Sequence, residues 1–217
     1  PVEIPIDGND ATTVACLVNE DGSETILKTA LLAGGRITVS VPDGATVHIR
    51  NNEKNFQDVQ GHWAENAISF VAARELFSGE TSSAFAPEDS MSRAMLMTVL
   101  ARLDGVDAAG ETAYQQGMSW AVAQGISDGQ NPDSLVTREQ FVVMLYRYAG
   151  TPAATNRELH FSDSEKINAY AREAVLWATE NGILNGYEDG SFAPNGSATR
   201  AQAAAMLARY VEFLNQR

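Results

Sequence analysis

The most constraining feature of this chain is a residue pattern that recurs three times between residue 56 and the C-terminal residues. Each copy has an aromatic residue, a glycine nine positions later, and then a Ser/Thr-Arg pair followed by an apolar stretch. The three sets are Phe70, Gly79 and Arg93; Trp120, Gly129 and Arg138; and Trp177, Gly186 and Arg200. Repeated units of this length stack on their neighbours, and an arginine at the same corner of each unit favours a multivalent binder over an enzyme.

Each copy predicts two helices separated by a loop. The first helices carry apolar residues at helical spacing, and Gly125 and Gly182 follow two of them where a helix usually ends. The first copy has Glu75 there, which predicts a different helix end. The segments Thr137–Gln140 and Thr199–Gln202 have the pattern of a capping box at the start of the second helices. Six helices in three equivalent pairs predict closure around an approximate threefold axis.

Residues 1–53 predict strands, because they alternate in polarity or carry β-branched runs. The clearest hairpin is Ile37–Ile49, with its turn at Pro42–Gly44. Further turns are predicted at Asp7–Asp10, Glu20–Ser23 and Ala33–Gly35. The polar stretch Asn51–Asn55 breaks the pattern, so we place a domain boundary between residues 53 and 54. Residues 1–53 are then either the end of a larger β domain, which we expect, or a small sheet that rests on the helices.

Composition and charge exclude several classes of function. Of the 217 residues, 44% are hydrophobic and 20% are charged, as in a folded protein, and no segment approaches the roughly 20 apolar residues that span a bilayer. The net charge of −13 disfavours nucleic acids and anionic membranes as partners, although a locally basic pocket can still hold an anion. Cys16 is the single cysteine, which excludes an internal disulfide and a thiolate metal site.

Catalytic and metal-binding motifs are missing from the sequence. His48, His62 and His160 are scattered and lack the spacing of metal ligands. The segment Asn185–Phe192 is only faintly similar to a calcium loop, because Tyr187 stands where a ligand is required and a glycine replaces the final glutamate. We therefore expect no metal, no cofactor and no enzymatic activity.

Five segments of the repeats resemble the S-layer homology domain. They keep, in order, an F-x-D start, a G-I-x-x-G loop, an F-x-P element and a T-R-A-E-like box, and they are Phe56–Ile68, Phe85–Ala94, Trp120–Ile126, Val136–Gln140 and Asn181–Gln202. Three such domains in tandem occupy residues 54–217, with copies at about 56–105, 106–150 and 160–214. The resemblance implies a mainly α fold, a pseudo-threefold spindle of six helices, preceded here by a small all-β segment.

The resemblance also implies a function and a set of site residues. It implies a non-catalytic, extracellular module that anchors surface proteins to the bacterial cell wall through an acidic, pyruvylated secondary cell wall polysaccharide. Neither nucleic acid nor membrane insertion is expected, and a monomer is favoured. The family uses the box arginine, the loop glycine and the F-x-D aspartate around the ligand. The matching residues are Arg93, Arg138, Arg200, Gly79, Gly129, Gly186, Asp58 and Asp163.

The chemistry of these residue types suits a carboxylate carried on a sugar. An arginine forms two parallel hydrogen bonds with a carboxylate, and at the start of a helix it lies beside free backbone N–H groups. A glycine in the facing loop lets the backbone come close to the ligand. Trp63 or Tyr170, which precede the apolar stripes of their helices, offers a ring for stacking on the apolar face of the sugar.

The second copy departs from the family pattern. It lacks an F-x-D start, and nine residues separate Gly129 from Arg138, against fourteen in each of the other copies. The F-A-P element of Phe85–Pro87 and Phe192–Pro194 is therefore predicted to be absent from it. We expect fewer than three competent sites, and the smallest loss of binding from Arg138→Ala.

Other interpretations remain open. The chain could be a structural scaffold for protein–protein interaction, or the C-terminal anchor of a truncated surface enzyme. The arginine boxes could be capping boxes with solvated arginines, and Asp58 and Asp163 could cap the first helices. Trp120 and Trp177 are predicted to lie in the core.

Overall fold

The computed structural model describes residues 1–6 and 10–215, and in these ranges the chain forms six short strands followed by six α-helices. The predicted turn at Asp7–Asp10 lies, except for Asp10, outside the described residues. The strands are β1 (Val2–Pro5), β2 (Thr13–Val18), β3 (Glu24–Ile26), β4 (Leu31–Ala33), β5 (Arg36–Val39) and β6 (Val47–Asn51). The helices are α1 (Glu65–Ala73), α2 (Arg93–Leu103), α3 (Ala113–Ala123), α4 (Arg138–Tyr148), α5 (Arg172–Glu180) and α6 (Arg200–Leu214). The prediction of a mainly α chain with a small all-β start is confirmed.

The chain divides into two compact units. One contains Pro1–Pro87 with Leu207–Arg217, and the other contains Glu88–Met206. The strands and α1 therefore share a unit, while α2 to α5 and the start of α6 lie in the second. The boundary between residues 53 and 54 stays a prediction.

The strands form two antiparallel sheets, ordered β1-β5-β4 and β3-β2-β6. The predicted hairpin at Ile37–Ile49 is wrong. Its turn does form, with the Ala45 N–H donating to Pro42 O at 3.2 Å, but β5 and β6 belong to different sheets. The turn instead carries the chain from one sheet to the other. Apolar residues of both sheets can then pack against each other, as Ile37 and Val39 of β5 pack with Ala15 of β2.

Two hairpins form at turns that the sequence predicts, although their strand pairing was not predicted. The β2–β3 hairpin closes at Gly22, with a φ of +82°, and the β4–β5 hairpin closes at Gly34 and Gly35, with φ of +57° and +72°. Two consecutive residues with positive φ fit the right-handed twist of a two-residue hairpin. Strand β4 itself was not predicted, because Leu31–Ala33 is too short for its alternation to show.

The β segment packs on α1 through a buried arginine. Arg74, 1% exposed, donates to Ala30 O through Nε and Nη2, at 3.2 and 2.8 Å, and to Ala11 O through Nη1 at 3.1 Å. Its guanidinium lies 3.5 Å from the centre of the Phe70 ring. Beside it, Ala73 of α1 packs with apolar side chains of sheet β3-β2-β6, namely Val14, Cys16 and Ile26.

The ends of the first helices follow one rule in all three copies. Gly125 and Gly182 both have a φ of +68°, as predicted for glycines that end a helix. The prediction of a different end in the first copy is wrong, because Glu75 adopts the same left-handed conformation, with a φ of +56°. The next residue is apolar and buried in each copy, namely Leu76, Ile126 and Ile183.

The second helices begin at capped residues. Ser92 accepts from Met95 N–H at 3.2 Å. In the segments Thr137–Gln140 and Thr199–Gln202, the hydroxyl accepts from the glutamine N–H and the glutamine oxygen accepts from the threonine N–H. Both capping boxes are confirmed.

Hydrogen bonds connect the starts of these three helices in a ring. The first N–H of α2 donates to the loop before α4, that of α4 to the loop before α6, and that of α6 to the loop before α2. The bonds are Arg93 N to Ser134 O at 2.9 Å, Arg138 N to Gly196 O at 2.8 Å, and Arg200 N to Asp89 O at 2.9 Å. Helix N–H groups that lack a partner in their own helix are satisfied in this way.

Candidate functional site

The three box arginines are the first residues of α2, α4 and α6, as the capping pattern implies. Arg138 and Arg200 are buried, at 4% and 5% exposed, while the side chain of Arg93 is 17% exposed. The interpretation as solvated arginines is therefore wrong. Each guanidinium lies mostly inside the protein, where its hydrogen bonds are shielded from water.

The Arg93 site consists of Arg93 and three residues of the loop after α3, Ser127, Asp128 and Gln130. Arg93 Nε donates to Gln130 O at 3.0 Å, and Nη2 donates to Ser127 Oγ at 3.1 Å and Asp128 Oδ1 at 2.8 Å. The Asp128 side chain is 67% exposed. The Gln130 N–H and, to a smaller degree, the Arg93 guanidinium hold the pKa of Asp128 below its usual value.

The Arg138 site consists of Arg138 and three residues of the loop after α5, Asn185, Tyr187 and Phe192. Arg138 Nε donates to Phe192 O at 2.7 Å, and Nη2 donates to Asn185 O at 3.5 Å. The guanidinium carbon lies 4.6 Å from the centre of the Tyr187 ring and 5.2 Å from that of Phe192. Burial lowers the pKa of Arg138, and nearby Tyr187 and Asp163 act in the opposite direction.

Both arginines thus contact the loop of the following copy. The expectation for Arg138→Ala rests on the shortened loop of the second copy. That loop lies against Arg93, whereas Arg138 faces the longer loop of the third copy. The order in which the arginine variants lose binding stays a prediction.

The second copy lacks the phenylalanine and alanine of the F-A-P element, as predicted, but it keeps the backbone turn of that element. Asn131 lies seven residues before the box arginine, as do Ala86 and Ala193, and all three have positive φ, of +48°, +57° and +53°. Gln130 stands where Phe192 stands in the third copy, and each carbonyl accepts from an arginine Nε. The second copy has lost the phenyl ring and five residues before it.

The F-x-D aspartates hold this turn. Asp58 accepts from Phe85 N and Ala86 N, at 2.9 and 2.7 Å through its closer contacts, and Asp163 accepts from Phe192 N and Ala193 N, both at 2.8 Å. They are not caps of the first helices, because α1 and α5 begin after alanines without a side-chain cap. A turn with positive φ in an alanine needs such support, since this conformation is strained without it.

The loop glycines are required by packing in two copies. A Cβ on Gly79 would lie 2.5 Å from Cε1 of Phe56, and one on Gly186 would lie 2.8 Å from Cε1 of Phe161. These phenylalanines begin the F-x-D motifs. Gly129 differs, since its φ is +72° and a Cβ would lie 2.8 Å from a side-chain carbon of Val122. Each glycine therefore lets its loop fold.

The aromatic candidates fall into two groups. Trp63 and Tyr170 are 63% and 58% exposed, and so are free to contact a ligand. Tyr170 Oη donates to Glu139 Oε1 at 2.6 Å, and burial together with this bond raises the pKa of Tyr170 to about 12. Trp177 is in the core, as predicted, whereas Trp120 is only half-buried and donates to Asp104 Oδ2 at 3.0 Å.

Three residues that contribute to these sites were not predicted from the sequence, namely Asp128, Tyr187 and Glu139. Tyr187 was considered only as an unsuitable calcium ligand, although its position directly after Gly186 was a usable signal. Glu139 is 2% exposed and also accepts from Asn168 N and Nδ2, at 3.1 and 2.6 Å, so it fixes the segment that carries Tyr170.

The described part of the chain shows neither a metal-binding cluster nor a membrane-spanning helix. Among residues 1–6 and 10–215, no group of three or more His, Cys, Asp or Glu side chains could hold a metal ion. In the same part of the chain, none of the helices has the length and apolar character to cross a bilayer.

Comparison with known protein families finds a match to two parts of the chain. The model of the S-layer homology domain matches residues 55–94 and 160–204, which belong to the first and third copies. The resemblance drawn from the motifs is confirmed for these two segments.

Three relatives illustrate the kinds of protein that carry similar sequences. An amylopullulanase of Thermoanaerobacterium thermosulfurigenes is 28% identical over 193 residues, which cover 81% of this chain and 10% of the relative. S-layer protein EA1 of Bacillus anthracis is 24% identical over 192 residues, 80% of this chain and 22% of the relative. A cellulosome-anchoring protein of Acetivibrio thermocellus is 31% identical over 88 residues, 39% of this chain and 20% of the relative.

The chain spans between 10% and 22% of the length of these curated relatives. The predicted extracellular, cell-wall-associated location is confirmed by the comparisons.

Proposed function

We propose that this chain is a non-catalytic module that anchors a larger protein to the bacterial cell wall by binding an acidic, pyruvylated secondary cell wall polysaccharide. The observation that carries the proposal is Arg138, whose guanidinium is fixed at the start of α4 by the loop carbonyls of Phe192 and Asn185. A side chain held in this way loses little conformational entropy when it binds an anion.

The free donor of Arg138 is the point of attachment for a carboxylate. Among the described residues, its Nη1 makes no hydrogen bond, while Nε and Nη2 bind the loop. No fully buried polar side-chain atom in this part of the chain lacks a partner, so Nη1 is not fully buried. A pyruvyl carboxylate can bind there beside the exposed Tyr187 ring, which suits the apolar face of a sugar.

Three tandem copies around a pseudo-threefold axis are the second part of the proposal. The ring of hydrogen bonds among the starts of α2, α4 and α6 supports it, because the same bond runs from the first copy to the second, from the second to the third, and from the third to the first. Several sites on one module would raise the avidity for a polymer by roughly 10²- to 10⁴-fold when one chain reaches more than one site.

The test is binding of isolated wall polysaccharide to the purified chain and to Arg138→Lys. The lysine keeps the charge but loses the planar fork, so we expect about a tenfold loss of affinity. Arg36→Lys is the matched control, since it makes the same change on β5, in an exposed ion pair with Glu3. Chemical removal of the pyruvyl ketal from the polymer should weaken binding further.

Two results would overturn the proposal. One is unchanged binding by a folded Arg138→Lys variant, and the other is unchanged binding of polymer that lacks the ketal. Near-ultraviolet circular dichroism of each variant verifies the fold.

A second candidate concerns the parent protein. The amylopullulanase among the relatives favours a module that anchors a surface enzyme, whereas S-layer protein EA1 favours a structural parent. We propose that the module serves either kind of parent. Fusion of the chain to an unrelated enzyme should then retain that enzyme on wall fragments, which is measured as activity that sediments with the fragments.

A further inference from the structure

We infer that the Arg93 site is closed to acidic glycans by the protein's own carboxylate. The side chain of Asp128 occupies the position at Arg93 that the carboxylate of a ligand would take. This inference rests on the proposed function and concerns which of the sites a glycan uses. It makes Asp128 a determinant of specificity within the module.

The geometry of the Arg93 site supports this assignment. Asp128 Oδ1 lies 2.8 Å from Arg93 Nη2, which also donates to Ser127 Oγ, and Nε is used by Gln130 O. A carboxylate that approaches Arg93 meets an anion already in place. At the Arg138 site the corresponding loop offers Phe192 O and the Tyr187 ring, and no carboxylate among the described residues hydrogen-bonds Arg138.

Electrostatics adds a repulsive contribution. Asp128 is ionised at neutral pH, because the Gln130 N–H and Arg93 both favour its charged form. A second carboxylate about 4 Å away is repelled by about 1 kcal/mol even in water, which is about fivefold in affinity. The ligand must also displace an existing ion pair.

Asp128 itself is not buried within the fold. Its side chain is 67% exposed, and its Oδ1 also accepts a hydrogen bond from Gln130 N at 3.0 Å in a local turn. An asparagine can form the same turn without the charge. The variant D128N therefore removes the competing anion while it preserves the loop.

Asp189 provides a matched control in the third copy. Its Oδ1 accepts from Ser191 N at 2.9 Å and Ser191 Oγ at 2.7 Å, in a similar turn. It makes no hydrogen bond to Arg138 within the described part of the chain. D189N changes the net charge by the same amount as D128N but leaves the Arg138 site as it is.

The test is a nuclear magnetic resonance titration that follows the Nε–Hε signals of Arg93 and Arg138 separately. The probe is a methyl hexoside with a 4,6-linked pyruvyl ketal, and its methyl ester is the neutral control. In the wild-type chain we expect the acid to shift the Arg138 signal more strongly than the Arg93 signal. In D128N we expect binding at Arg93 to become about three- to tenfold tighter for the acid, and unchanged for the ester.

Each outcome separates the inference from the proposed function. No gain at Arg93 in D128N, or an equal gain in D189N, overturns the inference, and a response at Arg138 in the same titration leaves the proposed function standing. A gain at Arg93 in D128N with no response at Arg138 supports the inference and contradicts the role proposed for Arg138. If neither arginine signal shifts in any variant, the inference and the proposed function are both overturned.

Discussion

The Arg93 and Arg138 sites start from the same plan and reach different chemistry. In both, an arginine at the first position of a helix donates through Nε to the carbonyl that precedes a turn with positive φ. The loop that supplies this carbonyl is five residues shorter at Arg93 than at Arg138. An exposed aspartate binds the guanidinium at Arg93, whereas a tyrosine ring lies beside it at Arg138.

The difference shows that the helix start fixes where the arginine lies and that the loop decides what the arginine can bind. The turn of the longer loop is also held by Asp163, which lies before α5 and accepts from both N–H groups of the turn. In the shorter loop Asp128 accepts from one of the equivalent N–H groups, that of Gln130, and binds the arginine with the same oxygen. One residue thus takes over part of the turn support and, in our proposal, the place of the ligand.

Among the variants that test this comparison, Asp163→Ala is expected to lower the free energy of unfolding most. It leaves two N–H groups without acceptors at a residue that is 9% exposed, which should lower the free energy of unfolding by about 3 kcal/mol. Asp128→Ala should cost clearly less, because its side chain is exposed. Urea denaturation of both variants checks this, with Asp163→Asn as an intermediate case. Equal losses would contradict the distinction between the turns.

A smaller effect is expected from truncation of the arginines themselves. Arg138→Ala removes the donor to Phe192 O in a buried setting and should lower the free energy of unfolding by about 2 kcal/mol. Arg93→Ala should cost less, because the Arg93 ion pair has an exposed partner. Thermal unfolding of the two variants at one pH gives the comparison, and a larger loss for Arg93→Ala would reverse our description of the two sites.

The smallest effect concerns pH. The folded pKa of Asp128 lies below its ordinary value of 3.8, so the stability it contributes is present above that value and is lost as the pH falls through the folded pKa. The difference in unfolding free energy between the wild-type chain and D128N should therefore be constant from pH 7 to about 5 and vanish in stronger acid. Salt should reduce the difference at neutral pH, because it screens the exposed pair with Arg93. A difference that grows towards low pH would contradict this.

Local features were predictable from the sequence, and features set by distant residues were not. The capping boxes at Thr137 and Thr199 and the helix ends at Gly125 and Gly182 depend on neighbours within a few residues. The pairing of Arg93 and Arg138 with the loop of the next copy depends on how the copies stack, which a repeat pattern leaves undetermined. The same limit applies to Ile37–Ile49, where the turn was predictable but the choice of sheet was not.

The aspartates show a second limit. For Asp58 and Asp163 the sequence left a helix cap open beside ligand contact, because a cap is the usual local role of such a residue. Their actual partners lie 27 to 30 positions away in the turns at Ala86 and Ala193. Nothing within a few residues of an aspartate signals a turn at that distance.

The burial of Arg74 has a practical consequence for display of enzymes on bacterial surfaces. Its guanidinium donates to carbonyls of Ala11 and Ala30, so trimming the N-terminal strands would remove these acceptors and expose Ala73 and its apolar surroundings to water. Fusions designed around the helical repeats alone should be less soluble than fusions that retain residues 1–53. The smallest transplantable tag is therefore expected to begin with the strands.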